Sequence, residues 1–262
     1  MTVSQTALLG FGCAALISLS VPFLVYFVCR RRMVLSLRNV ALGAGVLVLF
    51  ALVLEGAMHW YILKHNPATS AWLRSHTWGF VVYAAGAAAL FEETGRFLAM
   101  RLFVKRTGDP GTAVAYGIGH GGAEAILVGA LAQMASLFMA VMLNFGRLDA
   151  MLAYSIPPAA LVKLHASYAH LDFATALAGG MERVCALLIQ IALSLLVWRA
   201  VSRKEARWFF AALAAHAGVD CLGAMYQKEM ISLFATESIA AAIGAALLVF
   251  FLVKLPRRQS VV

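Results

Sequence analysis

The chain has 262 residues, 63% of them apolar and 13% charged, with a mean hydropathy of +0.85; soluble domains carry roughly 45–50% apolar residues. This composition excludes a soluble globular protein and defines a polytopic membrane protein. The net charge of +9 does not make a nucleic-acid surface, because the cations fall in short runs between apolar segments and not in a groove-lining patch with interleaved aromatics.

A membrane-spanning helix needs roughly 20 mainly apolar residues. Taken in chain order, the candidates cover about 7–28, 40–63, 77–104, 112–143, 174–198, 208–227 and 231–253. The expected fold is therefore all-α, a bundle of seven or eight spans forming one integral membrane domain over 1–262. The first run is followed, not preceded, by Arg30, Arg31 and Arg32, and its core is longer than that of a cleaved signal peptide, so it reads as a retained span. The connection from Asn144 to Phe173 contains Pro157 and Pro158 and has room for a re-entrant or interfacial piece. No internal repeat is evident. Cys13, Cys29, Cys185 and Cys221 stand singly in apolar segments, without the paired spacing of a disulfide frame or a zinc ribbon.

Alternate loops differ in charge. One set holds Arg30, Arg31, Arg32, Arg38, Arg101, Lys105, Arg106, Arg199, Arg203, Lys204, Arg207, Lys254, Arg257 and Arg258; the opposite set holds Lys64, Arg74, Arg147, Lys163 and Lys228. Cationic loops stay in the cytoplasm, which predicts an external amino terminus and a cytoplasmic carboxyl terminus. Trp60, Trp72 and Trp78, at the outer ends of the second and third spans, fit an interfacial aromatic belt.

Within the spans, ionisable residues are costly, at about 2.5–3.5 kcal/mol each near a helix centre. The third span carries Glu92, Glu93 and Arg96, where the arginine can neutralise either carboxylate across three or four residues. A structural ion pair needs one glutamate, so the second is in excess. In the fourth span, His120 and Glu124 are four apart, and Gly117, Gly119, Gly121 and Gly122 surround the histidine. Those glycines serve either close helix packing or space around His120 for a substrate backbone or a water. In the sixth span His216 and Asp220 repeat the spacing. Counted at 1.5 Å per residue, the three groups lie at one depth, which predicts a shared polar chamber open to the cytoplasmic side. Glu182 beside Arg183 is a candidate supporting residue, and Glu55 is expected to be structural or to lie at a helix interface.

These motifs resemble the YhfC group of bacterial membrane proteins, related to the CPBP and PrsW proteases and the type II CAAX prenyl endopeptidases. The resemblance rests on Glu92-Glu93-x-x-Arg96, on Tyr116-x-x-x-His120 and on His216-x-x-x-Asp220, in that order and on separate spans. It implies an intramembrane endopeptidase in a bacterial inner membrane, acting on a membrane protein or lipidated peptide. In that scheme Glu92 or Glu93 is the general base, Arg96 orients the pair, His120 holds or activates a water, and His216 with Asp220 stabilises the oxyanion. An ionised Asp220 is an acceptor only, where the prenyl endopeptidases have asparagine. The expected mechanism uses no cofactor; the rival is Zn2+ held by His120, His216 and Glu92 or Glu93. A noncatalytic membrane scaffold and a proton-coupled transporter are the competing classes.

Overall fold

The computed structural model describes residues 2–104 and 109–254, and of 251–254 the backbone alone; Lys105, Arg106, Arg257 and Arg258 of the charge pattern lie outside the described residues. The elements are helices α1 (Gln5–Arg30), α2 (Leu37–His65), α3 (Pro67–Ser75), α4 (Thr77–Phe103), α5 (Pro110–Asn144), α6 (Leu148–Leu152), α7 (Pro158–Ala169), α8 (Phe173–Arg203), α9 (Ala206–Gln227) and α10 (Leu233–Lys254). No strand occurs among the described residues. Hydrogen bonding widens to the π-helical pattern at Leu47–Glu55 and Tyr61–His65 of α2 and at Ala125–Ala130 of α5.

All seven expected spans are helical, yet six helices, not seven or eight, are long and apolar enough to cross a membrane. The exception is α4. It has 27 residues, but Glu92, Glu93 and Arg96 in its carboxyl-terminal half remove the apolar character that lipid exposure requires, and those side chains are buried in protein instead. The Asn144–Phe173 connection contains the short helices α6 and α7. Trp60, Trp72 and Trp78 are all exposed, as an interfacial belt demands.

The chain forms two compact units. The first comprises Met1–Val21 and Ala125–Val184. Its core joins Val3, Ala7 and Phe11 to Ala140, Leu143, Leu148, Tyr168 and Ala176. Small residues permit the close approach: a Cβ at Gly180 would stand 2.6 Å from Cα of Ala14, and one at Gly10 would stand 2.7 Å from the carbonyl oxygen of Phe173. Asn144 accepts from the amide of Val3 at 2.6 Å and donates to its carbonyl at 3.0 Å.

The second unit comprises Pro22–Glu124 and Cys185–Val262. Here α2 packs along the first part of α5, and α4 along α9. Its apolar core contains Val46, Ala99, Met100, Tyr116, Ile189, Leu193, Val197 and Ala212. The glycines around His120 turn out to be packing devices. A Cβ at Gly119 would lie 1.9 Å from the carbonyl oxygen of Val40, at Gly117 2.6 Å from Cα of Ile191, at Gly121 2.8 Å from Cβ of Gln190, and at Gly122 2.9 Å from Cβ of Pro22. Their open faces are filled by neighbouring helices, which corrects the reading that they leave room for substrate.

Candidate active site

Three helical segments of the second unit bring the predicted residues together. Glu92, Glu93 and Arg96 come from α4, His120 and Glu124 from α5, and His216 and Asp220 from α9. His120 and His216 both lie about 15 Å from the starts of their helices, and Glu92 about 16 Å from the end of α4. The helices are therefore in register at the depth where the polar groups must meet.

The two glutamates have separate partners. Glu93 Oε1 is 3.3 Å from Nη1 of Arg96 and 2.7 Å from Nδ1 of His216, and the Glu93 and Arg96 side chains are wholly buried. Glu92 Oε2 accepts from Nε2 of His120 at 2.8 Å and stands 3.8 Å from Nε2 of His216. That same His216 Nε2 is 3.4 Å from Asp220 Oδ2. The ring of Tyr116 lies one turn before His120, at 6.1 Å between centroids.

Gln190, on α8, is the residue that sequence reasoning missed. Its Nε2 donates to Glu92 Oε2 at 3.1 Å and to Glu124 Oε2 at 3.0 Å. Its Oε1 accepts from Nη2 of Arg96, and its carbonyl accepts from Ser194 Oγ at 2.7 Å. One amide thus joins the arginine to two carboxylates. The available signal was a lone glutamine inside the apolar run Leu187–Leu193, since a polar side chain in a membrane helix carries a cost that some contact must offset.

Other expectations resolve simply. Glu182 is paired with its neighbour Arg183 and belongs to the first unit. Glu55 is buried and bonds Nε2 of His59 at 3.0 Å, while His59 Nδ1 meets the Tyr83 hydroxyl at 2.6 Å. That link from α2 to α4 matches the helix-interface reading. Toward the cation-rich ends of α4, α5, α8 and α9 the polar groups are flanked along the chain by buried Met100, Tyr116, Val197 and Ala212. Side-chain exposure within the cluster is 33% at Asp220 and 10% at Glu92, against none at Glu93, Arg96 and His120.

Among the described residues, no group of three or more His, Cys, Asp or Glu side chains is arranged to hold a metal ion. By residue type alone, His120, His216 and a glutamate are zinc ligands. Nε2 of His120 and Nε2 of His216 both face Glu92, at 2.8 and 3.8 Å from its Oε2. His216 is held through its other nitrogen by Glu93, in the manner of a ligand imidazole oriented by a carboxylate. Glu93 Oε2, His120 Nδ1 and the Tyr116 hydroxyl are buried without a hydrogen-bond partner, so the cluster has polar capacity beyond its internal bonds.

Fold and site together define a polytopic helical membrane protein with a buried glutamate–histidine cluster. The model of the YhfC intramembrane metalloprotease family matches residues 17–241, a range that includes every residue of the cluster, and the chain belongs to that family. It is 32% identical over 255 residues to the uncharacterized membrane protein YhfC of Bacillus subtilis (strain 168), covering 97% of this chain and 98% of that one. No solved structure matches significantly.

Proposed function

We propose that this protein is an intramembrane endopeptidase that hydrolyses a peptide bond of a membrane-associated substrate, a membrane protein or a lipidated peptide. The observation that carries the reading is the division of labour between the glutamates. Glu93 is committed to Arg96 and His216, whereas Glu92 faces both imidazole Nε2 atoms and is partly accessible.

Glu92 is then the general base. It accepts a proton as a water oxygen bonds to the scissile carbonyl carbon, and delivers that proton to the amine as the C–N bond breaks. Glu93 fixes the His216 ring so that Nε2 points at the reacting centre. Arg96 neutralises Glu93 and holds Gln190 Oε1, which leaves the Gln190 amide to position Glu92 and Glu124. Asp220 acts on His216 and not as an oxyanion donor, in keeping with its 3.4 Å approach to Nε2 and its acceptor-only chemistry when ionised.

In the rival, metal-dependent mechanism the ion would be held by His120, His216 and one of the two glutamates, and a glutamate that served as ligand would not also be the base. When bound, the ion would supply Lewis acidity toward the carbonyl. We place the amino terminus outside and the carboxyl terminus in the cytoplasm of a bacterial plasma membrane, on the cation asymmetry of the loops. Water reaches Glu92 from the Asp220 side, the more exposed edge of the cluster. The test is hydrolysis by purified protein in proteoliposomes, with new peptide amino termini as the readout and Glu92→Gln as the comparison. Cleavage by the parent that is lost in the variant supports the reading; equal cleavage, or none by a folded, metal-loaded parent against a broad set of membrane peptides, overturns it.

A further inference from the structure

A concave site lies at the cation-rich ends of α4, α8 and α9. Its cavity is about 590 Å³, lined by Phe97, Arg101, Val201, Lys204, Phe209 and Phe210 among others, within the range of small-molecule sites. The walls are aromatic and aliphatic, with the Phe97 and Phe209 rings 5.3 Å apart. Two cations stand at its edge. The Arg101 guanidinium lies 5.9 Å from the Phe97 ring centroid, and neither Arg101 nor Lys204 meets a carboxylate among the described residues. The nearest acid in sequence, Glu205, is engaged by other groups: its Oε2 accepts from Nε of Arg207 and Nε1 of Trp208, both at 2.8 Å.

Lys204 itself has a left-handed backbone, with φ of +55°, in the short connection between α8 and α9. A glycine is the residue that such a helix end favours.

We propose that this cavity binds one anionic phospholipid, its phosphate between Arg101 and Lys204 and an acyl chain along Phe97, Phe209 and Phe210. Both cations sit at the ends of long helices, where headgroups lie, and basic pockets between helices select anionic headgroups. A free phosphate has no use for the aromatic walls. A neutral lipid has none for the unpaired cations. The lipid would clamp α4, α8 and α9, the helices that carry Glu92, Gln190 and His216, but its binding does not depend on peptidase activity.

The experiment is native mass spectrometry of the full-length protein extracted from bilayers of phosphatidylcholine with a minor share of phosphatidylglycerol. The parent should retain one phosphatidylglycerol in preference to phosphatidylcholine. Arg101→Gln or Lys204→Gln should each reduce retention about fivefold, and the pair about 25-fold. Arg30→Gln with Arg31→Gln, remote in sequence from the cavity, should leave it unchanged. Lys204→Gly relieves the left-handed backbone and should be no less stable than the parent while still losing the lipid, which separates ligand binding from folding. Unchanged retention in the double variant would overturn the proposal. So would displacement by inorganic phosphate alone at millimolar concentration, which would reveal a simple anion site.

Discussion

His216 meets Glu93 through Nδ1 at 2.7 Å and faces Glu92 through Nε2 at 3.8 Å, so one imidazole separates a glutamate used for positioning from a glutamate left for chemistry. The two carboxylates are adjacent in sequence, but neutralising them should have different consequences.

Glu93→Gln leaves the wholly buried Arg96 without its carboxylate. Breaking one side of a buried pair typically costs about 3–5 kcal/mol. The variant should reach the membrane in reduced amount and melt at lower temperature in detergent. Glu92→Gln keeps volume and hydrogen bonding, so its abundance and melting temperature should match the parent while turnover falls by about a hundredfold to ten-thousandfold. Immunoblots of membrane fractions and thermal unfolding, read beside turnover, distinguish the two patterns; identical patterns would contradict the division of roles.

Gln190→Leu removes the amide that joins Arg96, Glu92 and Glu124. Leaving buried polar groups unpaired costs about 1–3 kcal/mol apiece. The expected outcome is a destabilised protein with lower turnover. A Gln190→Leu variant equal to the parent in both measurements would show that the bridge has no role.

The helix packing has its own test. Gly119→Ala drives a Cβ to within 1.9 Å of the Val40 carbonyl oxygen, whereas a Cβ at Gly218 meets nothing within 4 Å. Overpacking costs about 1–3 kcal/mol, so Gly119→Ala should lower the melting temperature and Gly218→Ala should leave it within error. Equal melting of the two variants would contradict the close approach of α2 to α5.

Much of this arrangement was legible beforehand, because burial in a membrane makes polar residues conspicuous. Glu92, Glu93, Arg96, His120, His216 and Asp220 stood out against apolar runs, and helical rise alone placed them at one depth. Three features were not legible. Gln190 is uncharged, and one amide in an apolar span is a weak signal without its partners. The glycines around His120 suit packing and open space equally well until the neighbouring helix is seen. The split between the glutamates, Glu93 to Arg96 and His216 and Glu92 to His120, is a matter of tertiary packing that no periodicity reveals.

Metal content offers an independent check of the donor set. If His120 and His216 hold a metal, purified parent should carry about one zinc or similar divalent ion per chain, and His120→Ala or His216→Ala should lose most of it while remaining folded. Elemental analysis of gel-filtered protein gives the answer without any substrate; full metal retention in both variants would remove these histidines from the ligand set.

The central claim, that Glu92 is the proton acceptor of a peptide-cleaving site, is tested most directly by sequencing new amino termini released in proteoliposomes that contain equal amounts of parent or Glu92→Gln protein. The account predicts cleavage by the parent at defined bonds and a loss of at least about a hundredfold in the variant. Cleavage at the parental rate by the Glu92→Gln protein would contradict it.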